Sequence, residues 1–351
     1  MWFPTPVGGT PLPADFAPCV LFAVLYGILS PLVIFRLLDR RSRTVLLIGT
    51  AIFAIERIVI YSLRATQAQN EHKRLSPGLL TYMQISFGLG YIGIANDMVK
   101  ILRCLLVNTT FGINTYEQAP PASDAPLGAG DDEIPQKSYR KGLFQGWRRD
   151  RFVGQPSESD LDYPQRRTAF RRLADLGSLL FLAATVPGIL AHQHFGNVLK
   201  DQKQANNIYK LRYASAGVAL LFILLTGGSS IWAYVKLPRV RTKAVLMILT
   251  VCILMGTITT YRLSVMYDWT DSLLATGPNT LNSSGAKAAF YVLHALPEWL
   301  ASLILFCTNV RQVFGTGPFG DWRRADETEE QRAKREEKRR KREEKAMEDK
   351  N

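Results

Sequence analysis

The sequence predicts an all-α protein, a bundle of seven transmembrane helices with the N-terminus outside and the C-terminus in the cytosol. Hydrophobic residues make up 47% of the 351 residues, and they are gathered in long blocks instead of being spread at the spacing of a soluble core. Each block is close to the roughly 20 residues that a helix needs to cross a bilayer. Short basic segments follow the first and fifth blocks, and the positive-inside rule places them in the cytosol.

The blocks divide the chain into spans, loops and tails. The seven spans are predicted at about 16–35, 44–63, 79–102, 173–191, 214–235, 244–266 and 290–307. Residues 1–14 form an outer segment rich in proline and glycine, 15–107 hold spans one to three, 108–172 form a long cytosolic loop, 173–310 hold spans four to seven, and 311–351 form a charged cytosolic tail. The first part of the long loop, rich in Pro, Ala, Gly and Asp, is predicted to be disordered.

Charge and cysteine content restrict the partners. The net charge of +13 comes from loops and the tail, where basic and acidic residues alternate and no nucleic-acid-reading motif occurs. We therefore expect membrane lipids as partners and no nucleic acid. The four cysteines lie in or beside apolar blocks, without CxxC spacing or a Cys/His cluster, so we expect no metal and no cofactor.

The seventh predicted span carries a carboxylate in its middle. Tyr291, His294, Glu298 and Ser302 recur at steps of three and four residues, so they share one helix face. Pro297 precedes the glutamate and cannot donate a helical hydrogen bond, which leaves a free carbonyl nearby. An ionisable group at this depth costs several kcal/mol unless it is protonated, paired or hydrated, so it marks a functional site by default.

Other spans bring charges to a similar depth. At about 1.5 Å per residue, Glu56 and Arg57 in the second span and Arg262 in the sixth overlap in depth with Glu298. If they converge, every charge has a partner. Two interpretations remain open: a structural ion-pair network that fixes the helix register, or a polar cavity in the outer half of the bundle.

A polar cavity with apolar walls would suit acid-catalysed chemistry on a lipophilic substrate. Such surroundings can keep a carboxyl group protonated near neutral pH, as a proton donor to an epoxide or alkene requires. We predict Glu298 as the acid and Glu56 as the second carboxylate, although these two roles can be exchanged. The remaining predicted site residues are Arg57 and Arg262, which orient a carboxylate, and Tyr291 and His294, which relay protons or bind the substrate oxygen.

Four polar residues are predicted to play peripheral roles. Asp97 and Lys100 in the third span can pair at a spacing of three residues, and we interpret them as part of a snorkelling interfacial cluster. His192 and His194 at the end of the fourth span do not share a helix face, so they are expected at the interface and not as metal ligands.

Two glycosylation sequons fall on opposite sides of the predicted membrane. The sequon at Asn282 lies in an outer loop, so Asn282 is a predicted glycosylation site. The sequon at Asn108 falls on the cytosolic side and should stay unmodified. The predicted topology therefore makes the chain a glycoprotein.

Three motifs carry a resemblance to a known family. IERIVIY at 55–61, TYRLSVMY at 260–267 and LPEWLAS at 296–302 resemble a family of fungal seven-helix membrane proteins catalogued only as a domain of unknown function. The resemblance implies a seven-helix fold, with Arg57, Glu298 and the arginine of the second motif at the family's polar positions.

Two weaker likenesses bear on activity. ERIVIY at 56–61 and FYVLHALP at 290–297 resemble the fungal lipid-translocating exporters of the RTA-like family. In architecture and buried acids alone, the chain is also similar to the membrane-bound terpene cyclases and epoxide hydrolases of fungal secondary metabolism.

These observations leave two hypotheses for the function. The first is a membrane enzyme, in the endoplasmic reticulum, that cyclises a lipophilic terpenoid, meroterpenoid or polyketide or opens its epoxide by acid catalysis. The second is a lipid-translocating exporter without catalytic activity, for which the plasma membrane would be the expected location.

Overall fold

The computed structural model confirms the predicted fold class, an all-α bundle of seven long apolar helices. It describes residues 2–39, 41–113, 115, 152–193, 195, 201–277, 280–321 and 326, together with the single positions 330, 333, 334, 337, 340 and 341. The spans are Pro13–Leu38, Val45–Gln69, Pro77–Asn108, Pro164–Gln193, Gln202–Lys236, Thr242–Val265 and Ser284–Cys307. The chain is therefore an integral, multi-pass membrane protein.

Most spans are single helices, and two are interrupted. The first three are the helices Phe16–Leu38, Ile48–Gln69 and Pro77–Asn108; the fifth and sixth are Gln202–Lys236 and Thr242–Val265. The fourth consists of Pro164–Leu180 and Leu182–Gln193, and the seventh of Ser284–Phe290, a π-helical turn Tyr291–Ala295 and Leu296–Cys307. Short helical turns occur at Pro13–Asp15, Val45–Leu47, Glu71–Arg74 and Val310–Val313.

The third span lies at the centre of the bundle. It contacts the second, fourth, fifth and sixth spans as well as the last helix of the seventh, whereas the first span packs mainly on the second. Large apolar side chains such as Ile28, Ile52 and Ile253 point out of the bundle and are 60–72% exposed. Charged side chains, in contrast, are buried between the helices. This distribution is the one that a lipid environment favours.

The fourth and fifth spans show the largest differences between the predicted and observed starts. The fourth begins at Pro164 instead of 173, and the fifth at Gln202 instead of 214. Both added stretches are polar, so a search for apolar blocks does not detect them. The long cytosolic loop is correspondingly shorter than predicted, and its stretch predicted to be disordered lies outside the described residues.

Ion pairs hold the added turns of the fourth span against the C-terminal part of the chain. Arg167 pairs with Asp162 and Asp326, each at 2.8 Å, and Arg171 pairs with Asp321 at 2.5 Å. Both arginines are buried. The start of this helix is therefore fixed by tertiary ion pairs and not by apolar burial.

The N-terminal segment closes one end of the bundle. Strand Phe3–Pro4 pairs antiparallel with Trp269–Thr270, with Phe3 opposite Thr270. Farther along, Val7 is buried and exchanges two hydrogen bonds with the Gln84 amide, at 3.0 and 3.1 Å. Gly9 has a φ of +62° and lies against the carbonyl of Leu281, so only glycine fits there. The outer segment rich in proline and glycine is therefore ordered, and its residues 3–11 are buried. We call residues 3–11 the N-terminal plug.

Candidate functional site

The seventh span changes its helical register just before the predicted acid. The π-helical turn Tyr291–Ala295 leads into a helix that begins at Leu296, with Pro297 in its first turn. Proline cannot donate the backbone hydrogen bond that would continue an α-helix, and a wider turn accommodates its absence. Tyr291, His294 and Glu298 all remain buried after this change.

Glu298 forms a buried, two-pronged ion pair with Arg57. Arg57 Nε donates to Glu298 Oε2 at 2.9 Å, and Arg57 Nη2 donates to Glu298 Oε1 at 2.6 Å. Both side chains are 1% exposed. A Cβ atom at Gly90 would overlap both groups, so the third span approaches them through a glycine. This fork geometry is that of an ionised carboxylate with a guanidinium.

Glu56 joins the same cation from the bundle surface. Its Oε2 accepts hydrogen bonds from Arg57 Nη1 at 2.8 Å and from Ser86 Oγ at 2.7 Å, and Arg57 Nη1 also contacts that hydroxyl. The side chain of Glu56 is 20% exposed, unlike that of Glu298. We call Glu56, Arg57, Ser86 and Glu298 the glutamate cluster. The two glutamates therefore converge on Arg57.

The glutamate cluster does not support the first choice of roles for its two acids. Glu298 accepts two hydrogen bonds from a cation, so it has the environment of an ionised group and not of a proton donor. Two carboxylates share one guanidinium, which leaves one excess negative charge when both are ionised. Glu56 makes fewer bonds to Arg57 and reaches the bundle surface. In this geometry Glu56 is a better candidate for a proton donor than Glu298.

Arg262 does not orient either glutamate. Its Nη1 donates to the carbonyl of Phe87 at 3.1 Å and lies 3.5 Å from His294 Nε2, while its Nη2 lies 3.2 Å from His192 Nε2. Among the residues that the structure describes, it has no ion pair with a carboxylate. The expectation that it pairs within the polar layer is wrong, because similar depth does not place two side chains on facing sides of the bundle.

His192 is an interior residue and not an interfacial one. It is 2% exposed, and its Nδ1 lies 2.6 Å from the carbonyl of Gly188 in its own helix. Since a carbonyl only accepts hydrogen bonds, Nδ1 carries the proton and Nε2 accepts from Arg262. We call Arg262, His192 and His294 the arginine–histidine cluster. His194 lies outside the described residues.

Tyr291 belongs to a third cluster that the sequence did not reveal. Its hydroxyl donates to Asp15 Oδ1 at 2.7 Å and accepts from Arg64 Nε at 3.3 Å. Lys287 Nζ lies 2.7 Å from Asp15 Oδ2. We call Asp15, Arg64, Lys287 and Tyr291 the aspartate cluster. Tyr291 was predicted to relay protons for Glu298. Its hydroxyl instead bonds to Asp15 and Arg64, away from the glutamate cluster.

The aspartate cluster anchors the N-terminal plug. Arg64 donates to the carbonyl of Gly8, and Lys287 donates to the carbonyls of Gly8 and Thr10. Two signals could have found this cluster: Arg64 follows Arg57 by two helical turns, and Lys287 precedes Tyr291 by four residues. Asp15 has no such periodic partner in the sequence.

Two residues outside these clusters also differ from expectation. Asp97 is buried, accepts from the Thr50 amide and hydroxyl at 3.1 and 2.8 Å, and pairs with Lys100 at 2.8 Å. The predicted pair is confirmed, but its aspartate is an interior group and not a snorkelling one. Asn282 is 9% exposed; its Nδ2 donates to the carbonyls of Leu273 and Ala275 at 2.9 and 2.8 Å. A glycan on that nitrogen would break these bonds, so the folded structure argues against the predicted glycosylation.

The chemistry of the site rests on its own side chains. No group of three side chains suited to holding a metal ion occurs among the described residues. No protein family model, curated protein or solved structure matches the chain. The family resemblances therefore stay predictions, and the geometry of the glutamate cluster is the main guide to function.

Proposed function

We propose that this protein is a membrane-embedded enzyme of fungal secondary metabolism that performs acid-catalysed cyclisation or epoxide opening on a lipophilic terpenoid, meroterpenoid or polyketide. One observation carries the proposal: two carboxylates from different spans share one buried guanidinium, and one of the two reaches the bundle surface. The proposed location is the endoplasmic reticulum, and the proposed partners are this substrate and membrane lipids.

The surroundings of Glu56 suit a substrate dissolved in the bilayer. Its neighbours one helical turn away or less, Ile52, Ile55 and Val59, are 40–60% exposed and line the lipid-facing side of the second span. Tyr82 of the third span lies close enough to Glu56 for the two side chains to interact. A lipophilic molecule could therefore reach this carboxyl group sideways from the acyl chains, without crossing the tightly packed interior.

The proposed chemistry needs only groups of the glutamate cluster. Protonated Glu56 gives its proton to an epoxide oxygen or to an alkene. In the epoxide, the electrons of one C–O bond move to the oxygen; in the alkene, the π electrons form the new C–H bond. Either step leaves a carbocation on the substrate. An internal alkene closes a ring on that carbon. Loss of a proton to Glu56 then forms the product double bond and regenerates the acid. Addition of water instead gives a diol.

The other groups of the cluster position the acid and compensate charge. Arg57 and Ser86 both hydrogen-bond to Oε2 of Glu56 and thereby fix the orientation of its carboxyl group. Glu298 fixes Arg57 in turn through its two-pronged ion pair. The aromatic rings of Phe53 and Tyr82, beside Arg57 and Glu56, can stabilise a positive charge on the substrate.

The test compares three variants in membranes from a heterologous host. Glu56→Gln keeps an oxygen that can accept from Arg57 and Ser86 but has no acidic proton, so product formation should fall by about 10²–10⁴-fold with unchanged protein level. Glu298→Gln should lower both activity and stability, because it removes the partner that fixes Arg57. Asp175→Asn is the control, since that carboxylate is 66% exposed and distant in sequence from the site.

Product formation is followed by mass spectrometry with a panel of epoxidised and prenylated terpenoids and polyketides. Full activity of Glu56→Gln would exclude the proposed acid. The exporter hypothesis would gain support from three results together. The wild-type protein converts no substrate, a host without the protein has a changed tolerance of lipophilic compounds, and Glu56→Gln restores the original tolerance.

A further inference from the structure

Two neighbouring buried arginines, one of them a member of the arginine–histidine cluster, have no carboxylate partner among the described residues. Arg212 in the fifth span and Arg262 in the sixth are each 2% exposed. They are close enough for each to repel the other's charge. Neither forms an ion pair with a carboxylate within the part of the chain that the structure describes. The groups that Arg262 contacts directly are neutral: the carbonyl of Phe87, the two histidines and the side chain of Tyr91.

Several hydrogen-bond donors of these arginines have no acceptor. Arg212 donates from Nη1 to the carbonyl of Thr5 at 3.0 Å, but its Nε and Nη2 have no partner among the described residues. The same holds for Arg262 Nε and for the nearby hydroxyl of Tyr261. An aromatic ring lies over each cation. The Cζ atom of Arg212 is 5.7 Å from the ring centre of Phe195, and that of Arg262 is 5.4 Å from the ring centre of Tyr91.

This arrangement is costly without an anion. A buried cation needs a counter-charge, and buried N–H groups need acceptors, because burial removes the hydration that both have in bulk water. Elsewhere in this bundle the rule holds, since Arg57, Arg64 and Arg171 each meet a carboxylate. The site at Arg212 and Arg262 has the donors and the charge of an anion site, but among the described residues no carboxylate bonds to either guanidinium. Glu298 acts on Arg262 only at longer range.

The depth of the two arginines indicates what carries the anion. Arg262 lies in the last turn of the sixth span, and Arg212 lies two residues before the apolar block predicted at 214–235. Both therefore lie near the boundary of the apolar layer, at the end of the bundle closed by the N-terminal plug. Lipid headgroups occupy this depth, with their acyl chains extending into the layer beside it.

We propose that Arg212 and Arg262 bind the carboxylate or phosphate headgroup of an anionic lipid. Arg212 supplies Nε and Nη2 as a two-pronged donor, and Arg262 adds Nε from the facing span. The site is separate from the glutamate cluster, so the proposal does not depend on the proposed enzymatic function.

The test uses the full chain purified in a neutral detergent. Binding is measured by the shift in unfolding temperature as a function of added oleate or oleoyl lysophosphatidate, which separate the carboxylate from the phosphate source. Oleyl alcohol tests the acyl chain without charge, and inorganic phosphate tests the anion without a chain. We expect at least one anionic lipid to bind and neither control probe to do so.

Arg212→Gln should weaken that binding by at least about tenfold, because it removes a charged two-pronged donor. It should not lower the unfolding temperature of the lipid-free protein, since it also removes a repulsion. The exposed Arg166→Gln is the matched control and should bind like the wild type. If Arg212→Gln does not accumulate, Arg212→Lys keeps the charge, loses the fork and should also bind more weakly.

Three results would overturn the proposal. The first is equal binding of the anionic lipid by the wild type and the Arg212 variant. The second is equal binding of oleyl alcohol, which would assign the effect to the chain alone. The third is that inorganic phosphate binds without an acyl chain, or that none of the anionic probes binds.

Discussion

Removing the guanidinium of Arg57 should be among the most damaging substitutions in this bundle. Arg57→Gln leaves the carboxylates of Glu56 and Glu298 close together without the cation that now bonds to both at 2.6–2.9 Å. Breaking a buried ion pair by removing one partner costs about 3–5 kcal/mol. Because Arg57 serves two carboxylates, we expect a loss in the free energy of unfolding at the upper end of that range.

A second substitution tests whether unpaired charge causes this loss. The double variant Arg57→Gln/Glu298→Gln removes the fully buried carboxylate as well, so it should be about 1–3 kcal/mol more stable than Arg57→Gln alone. The free energy of unfolding is measured by denaturant titration in detergent, and the exposed Arg166→Gln should stay within about 0.5 kcal/mol of the wild type. A loss below about 1 kcal/mol for Arg57→Gln, or additive effects in the double variant, would refute the reasoning.

Three further outcomes are expected. Lys287→Met should loosen the N-terminal plug, because it removes the donor to the carbonyls of Gly8 and Thr10 and one of the two cations that pair with Asp15; limited proteolysis should then cut the first ten residues faster. Outside the spans, burial raises the pKa of Asp162, but hydrogen bonds from Arg167 and a backbone amide outweigh it and hold the pKa below its usual value. The stability from this carboxylate is therefore full above about pH 4 and lost as the pH falls through the lower folded-state pKa, and Asp162→Asn should flatten the unfolding free energy in that acidic range. Treatment with an N-glycosidase should leave the mass of the protein unchanged, because the Asn282 amide is buried and bonded.

The spans were predictable because lipid imposes a simple rule on sequence. A helix that crosses the bilayer needs a long apolar block, and every such block in this chain forms a span. The polar ends of the fourth and fifth spans were not predictable in this way. Their arginines, Arg167 and Arg212 among them, are buried through contacts with residues far away in sequence.

The depth of the site residues in the membrane could be predicted from the sequence, but the direction in which each side chain points from its helix could not. Counting residues along each span places Glu56, Arg57, Glu298 and Arg262 in one layer. The rotation of each helix about its axis depends on packing, which no single span encodes. Arg57 faces the two glutamates, whereas Arg262 contacts His192 directly and donates to a carbonyl of the third span. Charges at one depth thus form two separate clusters.

The seventh span connects all three clusters through one buried side. Lys287 and Tyr291 bind Asp15, His294 lies beside Arg262, and Glu298 binds Arg57. The π-helical turn lies in the middle of this series and adds one residue to the helical register. Converting it to an α-turn would rotate Ser284–Phe290 by about 100° relative to Leu296–Cys307, since a helix has 3.6 residues per turn.

Such a rotation would break the contacts of one half of the span. If Glu298 stayed on Arg57, Lys287 would turn away from Asp15 and lose its counter-charge, and Asp15 would keep only the longer ion pair with Arg64. Neither half can rotate alone, so the ion pairs at the two ends hold the π-helical turn in place. The structural interpretation of these charges, that they fix helix register, therefore applies to the seventh span independently of the proposed function.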